Sequence, residues 1–291
     1  MTQRDEGPTP AAGTIGTAGT ITIGDLTVNR LGFGAMRVTG RGIWGEPAHR
    51  EDAKMLLRRV VERGVNFIDT ADSYGPEVSE TLIAEALHPY PDGVVIATKG
   101  GLERPGPDRW SPNGSPDHLR EACEGSLRRL RLDQIPVYQF HRPDSAVPLE
   151  DSVGALVELQ AQGKIRHIGL SNVSADQLDQ AQAIASVVTV QNRYNLTDRS
   201  SEAMVDRCAQ EAIAFLPWAP IQGLGRSRTV KKIAKGHSAT PTQVVLAWLL
   251  ARSPAIVPIP GTASVEHLEE NLAAARVALT DDEVDAITGE R

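Results

Sequence analysis

Short apolar runs rich in β-branched residues alternate along the chain with longer segments whose apolar positions recur every three or four residues. The runs are Leu31 to Met36, Phe67 to Asp72, Val94 to Lys99, Ile135 to His141, His167 to Asn172, Val187 to Asn192, Ala214 to Pro220 and Ala255 to Gly261. The amphipathic segments between and after them are Arg50 to Arg63, Ser79 to Leu87, Pro116 to Arg131, Leu149 to Gln162, Ala175 to Ala185, Ser201 to Glu211, Pro241 to Arg252 and Val265 to Ala274. Eight strand–helix pairs predict an α/β fold closed as a (β/α)8 TIM barrel. Ser115, Thr240 and Ser264 stand where helix N-caps are needed, with Pro116 and Pro241 at first helical positions, while Gly64 and Gly163 stand at helix ends. Ahead of the barrel, Ile21-Thr22-Ile23 and Leu26-Thr27-Val28 flank Gly24-Asp25, which predicts an N-terminal β-hairpin able to plug the barrel floor. The stretches Thr39 to His49, Gly100 to Ser115 and Gln222 to Thr229 read as long loops on the active-site side.

Composition narrows the class. With 291 residues, 41% of them apolar, the chain is sized for one large domain, expected over 20–291 behind a flexible segment 1–19 rich in Thr, Gly, Pro and Ala. The net charge of -7 and the absence of a basic patch make nucleic acid an unexpected partner. The two cysteines, Cys123 and Cys208, form no CxxC pair, and no export signal or bilayer-length apolar run is visible, so a cytoplasmic protein without a membrane partner is expected. The seven histidines have no metal-ligand spacing, no GxSxG string occurs, and no metal site is expected.

Barrel enzymes carry their chemistry at the C-terminal ends of strands. Three predicted strands end in polar chemistry: Asp69 after Phe67-Ile68, Lys99 after Ile96-Ala97-Thr98, and His141 after Gln139-Phe140. A lysine at the end of a buried strand needs a carboxylate partner, and Asp69 on the neighbouring strand is the candidate. Tyr74 follows on the loop leaving the Asp69 strand. An ammonium close to its phenol favours the phenolate, so Tyr74 is a candidate proton donor, with His141 orienting a carbonyl oxygen.

Asp69, Tyr74, Lys99 and His141, in this order at the ends of strands two to four, resemble the catalytic tetrad of the aldo-keto reductases. Gly32 to Arg37, Ile168 to Asn172, Val190 to Asn195 and Ile259 to Thr262 resemble that family's strands in register. The resemblance implies a reductase of aldehydes or ketones that takes its hydride from NADPH, ahead of NADH, with a small-molecule carbonyl as substrate. Ser171, Asn172 and Gln191 would hold the nicotinamide carboxamide, Trp218 would stack on its ring, and the loop Ile221 to Arg226, with Gly223, would cover the pyrophosphate. Glu270 and Asn271 would meet the adenine. Gly34, Ala35, Met36, Asp69, Pro220, Gly261, Thr262, Ser264 and His267 complete the expected cofactor contacts. Where many members place Lys or Arg at the 2′-phosphate, this chain has Gly261-Thr262-Ala263-Ser264. Trp44 and Trp110, in the loops after the first and third strands, are candidate substrate contacts beside Tyr74 and His141. The subtypes closest in pattern are general aldehyde reductases and pyridoxal reductase-like members, as a monomer or small homo-oligomer. A second reading is a nicotinamide-binding regulatory subunit of the same fold, as in potassium-channel β subunits.

Overall fold

The computed structural model describes residues 18–223 and 227–290. The chain opens with β1 (Thr20–Ile23) and β2 (Leu26–Asn29), an antiparallel pair in the register Ile23↔Leu26. Strands and helices then alternate: β3 (Phe33–Gly34), α1 (Arg50–Glu62), β4 (Phe67–Asp69), α2 (Val78–Leu87) and β5 (Val95–Gly100). A short hairpin, β6 (Leu102–Gly106) and β7 (Arg109–Pro112), precedes α3 (Pro116–Leu130). The rhythm resumes with β8 (Ile135–Phe140), α4 (Leu149–Ala161), β9 (Ile165–Ser171), α5 (Ala175–Gln182), β10 (Val187–Gln191), α6 (Glu202–Gln210) and β11 (Ala214–Phe215). Four helices finish it: α7 (Arg228–Gly236), α8 (Pro241–Arg252), α9 (Val265–Ala273) and α10 (Asp281–Gly289).

The sheet runs β3-β4-β5-β8-β9-β10-β11, every pairing parallel. The predicted last strand, Ala255 to Gly261, is corrected to a segment that makes one bridge, Phe215↔Ile256. Pro258 and Pro260 have no N–H to give to a ladder, which limits it there. The segment still closes the ring, because Phe215 N donates to Ala255 O (2.8 Å), Val257 N to Phe215 O (2.9 Å) and Gly32 N to Pro258 O (2.9 Å). The fold is a (β/α)8 barrel. The expected loop from Gly100 to Ser115 is also corrected, since much of it is the β6–β7 hairpin, turning at Asp108 in the left-handed region (φ 53). The helices α7 and α10 were not predicted; Ser227 and Thr280 cap them. The caps read from sequence are present: Ser115, Thr240 and Ser264 accept from the backbone three residues on, and Gly64 and Gly163 adopt φ of 87° and 73°.

Period-two alternation decides what lies inside the ring. Phe67, Val95, Ala97, Val137, Ala214, Leu216, Val257 and Ile259 point inward and form one buried cluster with Ile23 and Val28 of the hairpin, which therefore closes the floor. The alternate residues, such as Ile68, Ile96, Tyr138 and Phe140, pack against the helices. Gly169 faces inward where the bore is crowded: a Cβ there would overlap Thr189 Oγ1 and stand 2.8 Å from Gln139 Cγ. No helix among the described residues is long and apolar enough to cross a membrane.

The floor hairpin is pinned by Asp25, which accepts from Arg166 and lies 2.6 Å from His167 Nε2. Hydrogen bonds from Arg166 and His167 pull its carboxyl down to about 2. A depressed carboxylate stabilises the fold above its unfolded value and loses that contribution as pH falls through its folded value. The wild type should therefore have a higher urea midpoint than Asp25→Asn at pH 7, with the gap narrowing as pH drops below about 4. A gap constant down to pH 3 would show that the charge of Asp25 does not hold the hairpin.

Candidate active site

The inward series continues upward through polar residues at the C-terminal mouth: Phe67 then Asp69, Ala97 then Lys99, Val137 then Gln139 and His141, Thr189 then Gln191. Lys99 is fully buried and Asp69 nearly so. Lys99 Nζ donates to Asp69 Oδ2 and to Thr70 O, each at 2.7 Å. The other carboxylate oxygen, Asp69 Oδ1, accepts from Gln139 Nε2 (3.0 Å) and Gln191 Nε2 (2.8 Å). Each oxygen of the buried carboxylate is thus engaged, the condition under which a charge pair can be kept out of water. Burial alone would push Lys99 down; the attraction of Asp69, with Tyr74, more than reverses it and holds the ammonium above its ordinary value.

Tyr74 lies over this pair, with Lys99 Nζ 5.2 Å from its ring centroid. Burial raises the phenol above its usual value, the Lys99 charge opposes that shift, and Asp69 adds to it. The lowering by Lys99 expected from sequence is present, but desolvation is larger in this cavity. The consequence is a phenol that holds its proton at neutral pH beside a cation that favours giving it up. His141 meets Tyr74 edge to face at 5.9 Å, and Trp110 meets both rings at 6.4 Å. Burial, then the charges of Lys99 and Arg142, hold the His141 imidazole well below its ordinary value, so it is neutral. Its Nδ1 lies 3.3 Å from Ser73 Oγ.

These groups border a cavity of about 390 Å³ whose opposite wall is Gly34, Met36, Ser171, Asn172, Gln191, Trp218, Pro220, Ile221 and Gly261. Asn172, in the left-handed region (φ 59), is the hub of that wall. Its Nδ2 donates to His141 O (3.0 Å) and Ser171 Oγ (2.9 Å), and its Oδ1 accepts from Trp218 Nε1 (3.1 Å). Its amide is spent on orienting its neighbours, and Trp218 is left with a planar face held in one attitude. Ser171 Oγ donates to Gln191 O (2.9 Å), and no described donor engages Gln191 Oε1. A fixed indole face beside an unspent amide oxygen and a serine hydroxyl fits a flat heteroaromatic ring carrying a carboxamide.

Of the residues singled out from sequence, Asp69, Tyr74, His141, Trp110, Gly34, Met36, Ser171, Asn172, Gln191, Trp218, Pro220, Ile221 and Gly261 line one cavity, with Lys99 behind Asp69. Ala35, Gly223, Thr262, Ser264, His267, Glu270 and Asn271 lie beyond its lining; Leu224, Gly225 and Arg226 of the expected pyrophosphate loop lie outside the described residues. Trp44 also lies beyond this lining, 5.5 Å from the Arg104 guanidinium, which stacks at 3.7 Å on Trp110. Gln139, Ser73, Leu102, Arg37 and Arg142 were missed. Gln139 carried a usable signal, a polar residue two before His141 in an apolar strand and therefore inward.

The profile of the Aldo/keto reductase family matches residues 30–289. An uncharacterized oxidoreductase of Schizosaccharomyces pombe is 48% identical over 266 residues, which is 90% of this chain and 87% of that one. Pyridoxine 4-dehydrogenase of Escherichia coli is 44% identical over 278 residues, 93% and 97% of the two chains. The crystal structure of an aldo-keto reductase from Klebsiella pneumoniae in complex with NADPH superposes with a TM-score of 0.78 at 27% identity, covering 92% of this chain and 93% of that one. The chain belongs to the aldo/keto reductase family. It is accordingly an oxidoreductase.

Replacing Asp69 by Asn would leave Lys99 charged and unpaired inside the barrel. Asp69→Asn is expected to lose about 3–5 kcal/mol of unfolding free energy. Asp69→Asn with Lys99→Met should recover part of the loss, as read by urea denaturation. A single mutant as stable as the wild type would show that the pair is not desolvated in solution.

Proposed function

We propose that this chain reduces an aldehyde or ketone with NADPH, using Tyr74 as proton donor, within one barrel domain spanning 20–291. The observation that carries this reading is the stack of Tyr74 above the buried Lys99–Asp69 pair, at a cavity whose far wall suits a nicotinamide. The complex of the Klebsiella relative supports the choice of NADPH. When bound, the cofactor supplies a hydride to the carbonyl carbon. Trp218 presents its face to the ring, while Ser171 and Gln191 fix the carboxamide and Asn172 holds Trp218 in place. In the tautomer whose Nδ1 accepts from Ser73 Oγ, neutral His141 offers an Nε2–H to the carbonyl oxygen. Tyr74 passes its proton to that oxygen as negative charge develops there, and Lys99 stabilises the phenolate left behind. Asp69 keeps Lys99 charged and in position. The enclosing Trp110 and Leu102 favour an aryl or apolar carbonyl compound. The name of the Escherichia coli relative makes pyridoxal a substrate to try first.

Following NADPH consumption with pyridoxal and 4-nitrobenzaldehyde tests the reading. Wild type should turn over at least one of them, and Tyr74→Phe should lose about 100-fold or more in kcat while still binding NADPH. Turnover by Tyr74→Phe at the wild-type rate would remove the phenol from the chemistry. Tight NADPH binding without turnover by wild type would favour the regulatory-subunit reading.

A further inference from the structure

The charges around the cavity do not balance. Among the described residues its one lining carboxylate, Asp69, is paired with Lys99, and His141 is neutral. Two guanidiniums also line it, Arg37 and Arg142, and neither forms an ion pair or hydrogen bond among the described residues. Among the described residues, two guanidiniums at the reaction cavity are thus without a pairing carboxylate, in a chain whose net charge is -7.

The two sit on different sides. Arg37 borders Gly261, its Cγ 3.7 Å from where a Cβ of that glycine would stand, on the wall assigned to the cofactor. Arg142 directly follows His141 at the end of β8, on the wall that carries the substrate-orienting groups. Pro143 after it disfavours a helical turn. Asn172 Nδ2 anchors the chain just before it by donating to His141 O. The charge of Arg142 is felt by the His141 imidazole. The nearest carboxylate in sequence does not quench it: Asp144 accepts from the backbone N–H groups of Gly114 (3.1 Å) and Ala146 (2.9 Å). Glu80, behind the wall, is tied to Arg129 at 2.7 Å. The third guanidinium nearby, Arg104, is occupied by the carbonyl oxygens of Ile43, Ser73, Gly42 and Arg109 while it stacks on Trp110. Among the described residues, Arg142 alone combines a guanidinium fork without a hydrogen-bond partner and a place beside His141.

We propose that Arg142 recognises an anionic substituent on the substrate, so that the preferred carbonyl compounds are aryl or heteroaryl aldehydes bearing a carboxylate or a phosphate monoester. The inference rests on the reductase reading above and names the substrate class of that same site. A planar guanidinium with no competing partner among the described residues matches both oxyanions through paired N–H donors. The aromatic edges of Trp110, Tyr74 and His141 take the ring, and Arg142 at the rim takes the charge.

The test compares two matched pairs, 4-carboxybenzaldehyde with methyl 4-formylbenzoate and pyridoxal 5′-phosphate with pyridoxal. Each is assayed with NADPH in wild type, Arg142→Gln, Arg142→Lys and Arg37→Gln. Wild type should favour the anionic member of at least one pair by about tenfold or more in kcat/KM. Arg142→Gln should remove most of that preference, Arg142→Lys should keep part of it, and Arg37→Gln should keep it. The pair that responds identifies carboxylate or phosphate as the group read. Absence of an anionic preference in both pairs, or one that survives Arg142→Gln, overturns the proposal. If nothing is turned over the reductase reading fails instead, and the proposal is decided by binding of the same compounds, read from tryptophan fluorescence. Tighter binding of an anion that depends on Arg142 supports it, and equal binding by wild type and Arg142→Gln overturns it.

Discussion

A lysine ammonium with no solvent exposure, 2.7 Å from a carboxylate that is itself buried, is the constraint around which the upper half of this barrel is arranged. Removing two charges from water costs several kcal/mol per ion, and their attraction offsets that only when the remaining hydrogen-bonding positions are filled. Here the chain supplies Thr70 O on the lysine side and Gln139 and Gln191 on the aspartate side. Four strands contribute to one charge pair. A shift of any of these strands by one residue would turn its polar group out of the bore and strand the charge.

The same alternation joins stability to chemistry. Below the pair the inward residues are apolar and rest on Ile23 and Val28 of the floor hairpin. Above it they are the groups that face the cavity. Tyr74 is placed by the loop leaving β4, whose Asp72 N–H donates to Lys99 O, so the phenol and the lysine beneath it are fixed by one short stretch of backbone. On the far wall the tethers from Asn172 to Ser171, His141 and Trp218 join β9, β8 and the segment after β11. The surface that would receive a cofactor ring and the surface that holds the imidazole therefore move together. That is a means of keeping donor and acceptor at a set separation.

Much of this was legible in the sequence because it follows from periodicity. Strand-ending Asp69, Lys99 and His141 could be found from apolar runs that stop on an ionisable group, and the helix caps at Ser115, Thr240 and Ser264 from residue type and spacing. What escaped did so for physical reasons. Pro258 and Pro260 reduce the eighth strand to a bridge although its composition is strand-like. The β6–β7 hairpin is written in Glu, Arg, Pro and Gly, with little apolar alternation to reveal it. The place of Trp44 depends on Arg104, sixty residues away in sequence, whose guanidinium lies 5.5 Å from the Trp44 ring and 3.7 Å from that of Trp110. The pKa direction of Tyr74 depends on burial, which no local motif reports.

The central claim is that Asp69 and Lys99 act on Tyr74 as one unit, and a double-mutant cycle on the rate of single-turnover reduction measures this directly. The rate would be followed by NADPH absorbance in wild type, Asp69→Asn, Lys99→Met and the double mutant. Groups that work as a unit give strongly non-additive losses. The account predicts that Lys99→Met alone slows the step nearly as much as the double mutant, each by about 100-fold or more. Losses that simply multiply would show that Asp69 and Lys99 serve the reaction independently and would contradict it.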